Sequence, residues 1–525
     1  MRHATIDPPV EPAVQDALSI HVTASEGYPA FERLCLAARQ EIVAGFRIFD
    51  MSTGLRSDEG QAIGRDWFDL LLHVARRGVA LRFVLSDFDA VVGTELHGMT
   101  WRTMRQAAAL VELAGPGADI RFEASLHPAQ VGALARVALW PRVDRMLRDR
   151  ARRLLHLDRP RRLRFMSNHP HLSRMMMMGD DRVEPRRWPL PPLAPVTHHQ
   201  KAAAIDGKVA YVGGLDLNER RWDTRAHDRA SPETWHDVHA TLRDPETARA
   251  LRAHLDELAG VIALDAEPSD LGKTLLRTVS TKRRRGPLAL SPKVKVHTIQ
   301  DAILEGIARS QRLIYLETQF LRDRRVSKAL ARRARQVPGL ELVVMLPARP
   351  EDVAFEGTRR IDARFGEFLQ YLAIRRLRRA FRGRVFVGTL ARRVTAQGAG
   401  RSVVHGAPLI YLHSKVSTFD DRLGVIGSAN LNGRSLRWDT EVAIAIADPM
   451  QVARLRETCM GGVLGPGIDP APYASLDGAV RAWQHLGLRN ARTRPEAREG
   501  FVVPYLARPG RRFGRPLRAV PEEMV

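Results

Sequence analysis

The sequence predicts an α/β fold made of two similar halves, each a mixed sheet flanked by helices. Three observations predict it: helical and strand-like patterns alternate along the chain, their order occurs twice, and a short polar motif recurs at the equivalent place of each half. A chain of 525 residues is also too long for one ordinary hydrophobic core. A duplicated fold is therefore expected.

Four predicted elements precede the motif in each half. In the first half a helix, a strand, a second helix and a second strand are predicted in AFERLCLAARQEIV, FRIFDMS, WFDLLLHVARRG and VALRFVLS. The second half repeats this order in DAILEGIARSQ, RLIYLETQF, VSKALARRARQ and LELVVMLP. Each motif strand is then followed by a turn and another apolar strand, KVAYVGG in the first half and RLGVIGS in the second.

The segment TVSTKRRRGPLALSPK, with a charge run, Pro and Gly, marks the division between the halves near residues 270 to 290. We therefore predict a first half over residues 1–275 and a second half over residues 276–485. Residues 486–525 form a tail rich in Arg and Pro, which we expect to be extended.

The first half differs from the second by a basic insertion at about residues 120–195. In its long helical pattern Val143, Met146, Leu147 and Leu154 fall near one face, and Arg covers the rest. One interpretation is an element that lies on a membrane surface or gates the substrate, because basic amphipathic helices suit anionic lipid. The other is a solvated arginine face that packs on its own domain.

Composition limits the partners and the compartment. The formal net charge of +23 and the pI of about 11.0 favour an anionic partner, although a GC-rich genome also produces an Arg-rich chain. Cys35 and Cys459 are far apart, so no disulfide framework is expected and a reducing compartment fits. Neither a signal peptide nor a membrane-spanning segment is predicted. We expect a cytoplasmic protein whose only membrane association is peripheral.

The recurring motif carries the chemistry. Both THHQKAAAID and LHSKVSTFD fit H-x-K-x-x-x-x-D, with His199, Lys201 and Asp206 in the first and the same residue types at positions 413, 415 and 420 in the second. The chain has only eight Lys among 82 basic residues, so two at the motif position indicate that a compact ammonium group is required. In a strand each His and the Lys two places later share a face.

Two such motifs around one phosphate would cleave a phosphodiester. Two ammonium groups neutralise the anion, a protonated His supplies the leaving group with a proton, and a neutral His attacks phosphorus to form a phosphohistidine. Different surroundings separate the pKa values of the two imidazoles. THHQ and SNHPH lack the ligand spacing of a zinc helix, so we expect neither metal nor cofactor.

From about Ile20 to Leu464, apart from the insertion, the chain resembles the phospholipase D superfamily, whose signature is a duplicated H-x-K-x-x-x-x-D. The resemblance includes HHQKAAAIDGKVAYVGGLDLNERRWDT, WHDVHATLRDP, IYLETQF and LHSKVSTFDDRLGVIGSANLNGRSLRWDTEVAI. The GGLDL and WHD elements are similar to the phosphatidylcholine-cleaving branch. The resemblance implies that the halves pack as a pseudo-two-fold phospholipase D fold.

The resemblance also implies roles for the motif residues. His199 would be the nucleophile, and His413 the general acid and later the base. Lys201 and Lys415 would hold the phosphoryl oxygens, together with Asn430 and Ser428.

Carboxylates have three implied or inferred roles. By the resemblance a carboxylate orients each catalytic His, and we assign Glu441 to His413 and Asp237 to His199. Asp206 and Asp420 are interpreted as structural residues that hold the turn after each motif strand. Asp216 stands where the second half has Asn430. Because a carboxylate repels phosphate, we expect Asp216 to meet a positively charged headgroup instead.

The resemblance implies a phospholipase D that cleaves or exchanges the headgroup of a phospholipid at a membrane surface, acting as a monomer. Cardiolipin synthase-like phosphatidyl transfer is the first alternative, although those enzymes usually carry amino-terminal membrane spans. A nuclease would also use the positive charge, but nucleic acid is the less favoured partner. A non-enzymatic basic scaffold would need neither imidazole.

Overall fold

The computed structural model describes residues 17–179, 182–186, 188, 190–283, 292–517 and 520–525. The strands of the first part of the chain are β1 Leu18–Val22, β2 Glu41–Phe46, β3 Ala80–Ser86, β4 Ile120–Ser125, β5 Met176–Met178, β6 Val183–Pro185, β7 Lys201–Ile205, β8 Val209–Gly213, β9 Trp235–His236 and β10 Val238–Leu242. Its α-helices are α1 Ala24–Ala37, α2 Asp58–Gln61, α3 Trp67–Arg76, α4 Thr94–Ala114, α5 Ala133–Leu155, α6 Arg159–Ser167, α7 Pro170–Ser173 and α8 Pro245–Leu264.

The strands that follow are β11 Leu275–Thr281, β12 Lys293–His297, β13 Leu313–Glu317, β14 Glu341–Met345, β15 Val385–Ala391, β16 Val403–Val404, β17 Ala407–Leu412, β18 Val416–Phe419, β19 Leu423–Gly427, β20 Glu441–Ile446 and β21 Val502–Pro504. The α-helices that follow are α9 Thr298–Arg309, α10 Arg324–Gln336, α11 Glu351–Ala354, α12 Ile361–Phe381, α13 Gly433–Arg437, α14 Pro449–Leu464, α15 Ala471–Ala474, α16 Ala479–Arg492 and α17 Ala507–Phe513.

The two large sheets share one topology. The first has the order β1-β10-β8-β7-β2-β3-β4, and the second contains β11-β20-β19-β18-β13-β14-β15. Equivalent neighbours pair in the same sense: β2, β3 and β4 are parallel, as are β13, β14 and β15, and the other pairs of each series are antiparallel. The predicted α/β fold of two similar mixed sheets flanked by helices is confirmed.

The halves meet across a shared hydrophobic core. This core contains residues of both sheets, among them Val212 of β8 and Ile426 of β19, together with Leu255 of α8 and Leu455 of α14. On their other sides the sheets are covered by α1, α3 and α4, and by α9, α10 and α12. The two sheets therefore pack face to face through α8 and α14, with outer helices completing the layers.

The equivalent helices α8 and α14 begin with the same local signal. Asp244 precedes Pro245 and accepts a hydrogen bond from the Thr247 N–H, and Asp448 precedes Pro449 and accepts one from the Gln451 N–H, each at 2.9 Å. An aspartate cap satisfies a free helix donor, and Pro fits the first helical position because it has no N–H to satisfy.

Two sequence expectations are corrected. The first strand of the first half spans residues 41–46, not FRIFDMS, which begins where β2 ends. The small residues Ala44 and Gly45 weaken its apolar pattern. Gly45 is required by packing, because an added Cβ would lie 2.6 Å from both the Gln200 amide and a Leu255 methyl group.

The tail is the second correction. Residues 486–525 were expected to be extended, but α16 continues to residue 492, β21 pairs antiparallel with β15, and α17 packs on α12. Val502 and Val503 are fully buried. Apolar residues between the arginines therefore fold the tail onto the second half. The division at residues 275 and 276 stays a prediction, and part of the segment that suggested it, residues 284–291, lies outside the described residues.

The insertion forms a small core of its own. Val143, Leu147 and Leu154 of α5 are buried with Leu172, Met176 and Val183, and Met146 packs against them. The predicted apolar face of α5 is thus the face that packs inward. Among the residues that the structure describes, no helix combines the length and the apolar character needed to cross a bilayer.

Candidate active site

Both motifs lie at equivalent sheet edges. Lys201 starts β7 and pairs with Phe46 at the carboxyl end of β2. Lys415 directly precedes β18, whose first residue, Val416, pairs with Glu317 at the carboxyl end of β13. Carboxyl ends of parallel strands are common places for functional sites in α/β folds. The two motifs therefore occupy the same edge of their respective sheets.

Asp206 and Asp420 hold the far ends of the motif strands. Each carboxylate accepts hydrogen bonds of 2.8–3.0 Å from three consecutive backbone N–H groups, those of residues 39–41 for Asp206 and of residues 311–313 for Asp420. Both residues have positive φ values, 53° and 51°, which Asp tolerates better than most residues. These contacts fix the turn after each strand and tie it to the start of a neighbouring strand.

Each imidazole is held by a carboxylate, but the pairing is the reverse of the one assigned from the sequence. The Nδ1 atom of His199 lies 3.0 Å from the Glu441 carboxylate. The Nδ1 atom of His413 lies 2.6 Å from Oδ2 of Asp237. The assignment of Glu441 to His413 and of Asp237 to His199 is wrong, because each carboxylate crosses to the motif of the other half.

Parallel backbone contacts between the halves cause the crossing. The His199 N–H donates to the Thr440 carbonyl at 2.8 Å, which places residue 441 beside residue 199. The His413 N–H donates to the His236 carbonyl at 2.7 Å, and β9 pairs in parallel with β17. Each motif therefore runs alongside the segment that ends in the other half's carboxylate.

The two lysines are buried within this arrangement. Lys201 donates to the His199 carbonyl at 2.6 Å, and Lys415 donates to the His413 carbonyl. Their side chains are at most 4% exposed, and burial lowers the pKa of both, that of Lys415 to about 7. An anion that binds beside these lysines would raise their pKa values and so favour their charged forms.

Electrostatics link the four motif side chains. Burial lowers the pKa of His199 well below its usual value, and the charges of Lys201, Arg47 and Lys415 lower it further. Burial likewise lowers the pKa of His413, and the charges of Lys415, Arg221 and Lys201 lower it further. The pKa of each imidazole is thus lowered by the lysines of both halves, as expected for one shared site.

The orienting carboxylates are equally buried. Burial raises the pKa of Glu441 to about 8, against the opposing effect of Lys201. Burial also raises the pKa of Asp237, against the opposing effect of Lys415. An anionic ligand beside the lysines would raise the pKa values of the two imidazoles that these carboxylates hold. It would therefore favour the protonated form of each imidazole.

The two residues predicted to assist phosphate binding differ in their contacts. The Ser428 hydroxyl donates to Glu441 at 2.5 Å, so here it positions that carboxylate. Asn430 donates to Gln319 at 3.2 Å, and Gln319 donates to the Tyr411 hydroxyl at 2.8 Å. Asn430 is therefore held by an amide chain at the second motif, and its phosphate-binding role stays a prediction.

Asp216 lies in a cluster of cations that the sequence analysis missed. Its carboxylate is 2.9 Å from Nη1 of Arg47, 3.6 Å from Nζ of Lys201 and 3.8 Å from Nη2 of Arg221. Burial alone would raise the pKa of Asp216, but these cations hold it below the usual value. Three internal cations therefore surround the carboxylate, and the expectation that Asp216 meets a positive headgroup stays a prediction that this arrangement does not favour.

Arg47 and Arg221 had no motif to indicate them. Arg47 directly follows β2, in the segment that was assigned to a strand. The Arg221 guanidinium lies 3.6 Å from the ring centroid of Trp235, in a segment recognised only for its similarity to known sequences. Their proximity to Asp216 depends on how the strands and loops of the first half fold together, which local sequence patterns do not contain.

Asp216→Asn is expected to lower the free energy of unfolding by about 3 kcal/mol, because it leaves buried cations without their anion. Denaturant titration measures this loss. An unchanged stability would contradict the role of Asp216 as the anion of this cation cluster.

Residues 303–459 match the family model described as cardiolipin synthase, PLD-like domain. The chain is thus similar to members of the phospholipase D superfamily. Among its relatives, cardiolipin synthase A of Pseudomonas putida (strain GB-1) is 25% identical over 259 residues, which cover 48% of this chain and 44% of the relative. Phospholipase D alpha 1 of Zea mays is 22% identical over 385 residues, with coverage of 51% and 47%.

The chain spans about half the length of the curated relatives it matches. Among solved structures, phosphatidylserine synthase of Haemophilus influenzae Rd KW20 superimposes with a TM-score of 0.47 at 14% identity, covering 84% of each chain.

Proposed function

We propose that this protein is a phospholipase D-type enzyme that cleaves the headgroup ester of a glycerophospholipid and yields phosphatidic acid. The observation that carries the proposal is the crossed pair of imidazole–carboxylate contacts, His199 with Glu441 and His413 with Asp237, beside two buried lysines. A protein that only bound anions would need the lysines but not two oriented imidazoles.

In the first step the diester lies between the lysines, whose charges neutralise its non-bridging oxygens. The free ring nitrogen of His199 attacks phosphorus, and its Nδ1–H remains bonded to Glu441. The bond from phosphorus to the headgroup oxygen breaks as the nitrogen–phosphorus bond forms. His413 donates its proton to the departing oxygen, so that the headgroup leaves as an alcohol.

In the second step His413, now neutral, takes a proton from water or from an alcohol. The resulting oxygen nucleophile attacks the phosphohistidine, the nitrogen–phosphorus bond breaks, and His199 is restored. Water gives phosphatidic acid and an alcohol gives a new phosphatidyl ester. Asp237 stabilises the imidazolium of His413 at the start and end of this cycle.

The bound anion supplies the protonation states that these steps need. Burial and the two lysines hold the pKa values of both imidazoles low, which keeps His199 neutral for attack. A diester between the lysines offsets their charge and raises the pKa of His413. Substrate binding therefore favours the protonated form of His413, the general acid, while Glu441 orients His199, the nucleophile.

We expect kcat/KM to fall as the pH rises through about 7, where unbound Lys415 loses its proton. The sign follows because the ammonium form, which binds the diester, predominates below the pKa. The basic limb of kcat should lie at higher pH, because bound phosphate stabilises the ammonium form. Rate profiles at low and saturating lipid concentration measure both limbs. Coincident limbs would contradict this role of Lys415.

Phosphatidyl transfer to a glycerol-type acceptor is a second candidate, favoured by the family model description and by the cardiolipin synthase relatives. It uses the same phosphohistidine and differs only in the acceptor of the second step. The two candidates are therefore separated by the product that forms when water and phosphatidylglycerol compete.

The test offers mixed phospholipids, a primary alcohol and phosphatidylglycerol to the purified protein, with a chelator present. The proposal predicts phosphatidic acid and the phosphatidyl ester of the alcohol, both lost in His199→Ala. Cardiolipin as the main product would favour the second candidate. Cleavage of DNA without any lipid product would contradict both and support a nuclease.

A further inference from the structure

Positive charge is concentrated in the two helices that begin the insertion. Residues 133–167, which include α5 and α6, contain 11 Arg against three Asp, a net charge of +8 in 35 residues. The whole chain has a net charge of +23. About a third of the excess charge therefore lies on this short segment, far more than its share of the chain length.

The outward face of α5 has two parts. At 100° per residue, Leu134, Val137 and Pro141 follow one stripe, which lies opposite the buried Val143 and Leu147. The stripe is exposed along its length, and Val137 is 56% exposed. The first turns of this helix therefore present apolar side chains to the outside, although the helix already buries its other face.

The same stripe becomes basic towards the carboxyl end of α5. Arg145, Arg148 and Arg152 continue it and are all exposed. Arg148 is 2.8 Å from Asp144, and Arg152 contacts Asp149, both exposed pairs of the kind that contribute little stability. The charges are thus available to an external anionic surface. We name the stripe of residues 134, 137, 141, 145, 148 and 152 the α5 outer face.

Other parts of the insertion also expose large apolar side chains. Leu163 of α6 and Met177 of β5 are about half exposed, and Trp188 is 76% exposed. Apolar side chains interspersed with arginine, and an aromatic ring among them, are typical of proteins that lie in the headgroup region of a bilayer. A helix packed only on its own domain would leave its outer face polar.

The insertion begins and ends at the sheet edge that carries the site. It leaves the first sheet at Ser125, the carboxyl end of β4, at the edge where Phe46 of β2 pairs with Lys201. It returns at Thr197, whose N–H donates to Asp439 at 2.9 Å, two residues before Glu441. A surface bound by the insertion is therefore presented to the site.

We infer that the α5 outer face lies on an anionic lipid bilayer, with its arginines on the headgroups and its apolar residues between them, and so presents the catalytic edge to membrane lipid. This inference deepens the proposed function by naming the surface on which the enzyme acts. Its catalytic purpose rests on the proposed function, but the binding to the bilayer does not. Membrane binding itself is measured without turnover.

The test uses Arg145→Gln/Arg148→Gln/Arg152→Gln in a His199→Ala background, so that no lipid is consumed. Sedimentation with vesicles of phosphatidylcholine and phosphatidylglycerol in equal parts measures binding. Because each arginine near an anionic surface contributes about a factor of five, the triple variant should bind about 100-fold more weakly. Leu134→Ser/Val137→Ser should abolish the binding that remains at high salt, where the electrostatic attraction is screened.

The matched control is Arg325→Gln/Arg332→Gln/Arg335→Gln, which removes three exposed arginines from one stripe of α10. It makes the same change in net charge on the second half and should bind vesicles as the parent does. Thermal unfolding should be unchanged in both triple variants, because all six side chains are exposed. Equal losses in the two variants would overturn the inference and leave only a general effect of charge.

A soluble substrate separates this inference from the proposed function. With active protein, cleavage of a short-chain phospholipid below its micelle concentration should be unaffected by the α5 triple variant, whereas vesicle turnover should fall. Vesicle binding that depends on the α5 outer face, in a protein with no phosphodiesterase activity, would support the surface and contradict the function. Loss of duplex DNA binding alone in the α5 variant, with vesicle binding intact, would overturn the inference in favour of nucleic acid.

Discussion

His199→Ala is expected to lower kcat for headgroup release by about 10⁴-fold or more, because it removes the atom that forms the bond to phosphorus. The lysines would still bind the diester, so KM for lipid should change little. Steady-state assays of headgroup release measure both quantities. With a lipid whose leaving group is p-nitrophenol, which departs without a general acid, His413→Ala should accumulate acid-labile phosphate on the protein, seen after rapid base quenching. This phosphate should be absent when His199 is also replaced.

A control for this prediction is His239→Ala, which removes a buried imidazole of the first half whose ring nitrogens have no hydrogen-bond partner among the described residues. The turnover number of the His239→Ala variant, counted per folded molecule, should equal that of the parent protein. If His199→Ala retained full activity, or if labelled phosphate mapped to a different residue, then the nucleophile would lie elsewhere.

The crossed carboxylates lead to the second large prediction. With a lipid whose leaving group is p-nitrophenol, the first step no longer needs a general acid. Asp237→Asn should then keep the burst of p-nitrophenol, because His199 still attacks, but lose about 10⁴-fold in turnover, because His413 cannot activate water. Glu441→Gln should lose the burst itself, because the nucleophile has lost its orienting partner.

Stopped-flow release of p-nitrophenol distinguishes these outcomes. Both substitutions are nearly isosteric, so the fold is retained. The uncrossed assignment made from the sequence predicts the reverse, with the burst lost in Asp237→Asn and kept in Glu441→Gln. Adding a good acceptor alcohol should not restore turnover in Asp237→Asn, since the alcohol also needs a base.

Local sequence patterns predicted much of the fold. The helix over Trp67–Arg76 and the strand over Ala80–Ser86 have strong periodicity, and both form where the sequence indicates. The buried face of α5 followed from the spacing of its apolar residues. The strand over residues 41–46 was missed because its apolar pattern is interrupted by Gly45, which packs closely against two side chains.

The candidate site was predictable in its residues but not in its pairing. The repeated spacing indicated His199 and His413, and the resemblance indicated Glu441 and Asp237. Which carboxylate meets which imidazole depends on backbone contacts between residues more than 170 positions apart. A periodic pattern within one half carries no information about such docking. Arg47 and Arg221 were missed because their approach to Asp216 depends on tertiary packing within the first half.

The central claim is that both halves act on one phosphorus atom within one chain. A crystal structure with orthovanadate, which mimics a phosphoryl group in transfer, tests it most directly. We predict one vanadate between the two imidazoles, nearest to His199, with both lysines on its oxygens and with Glu441 and Asp237 bonded to His199 and His413. Vanadate at two separate sites, or contacted by one half only, would contradict the account.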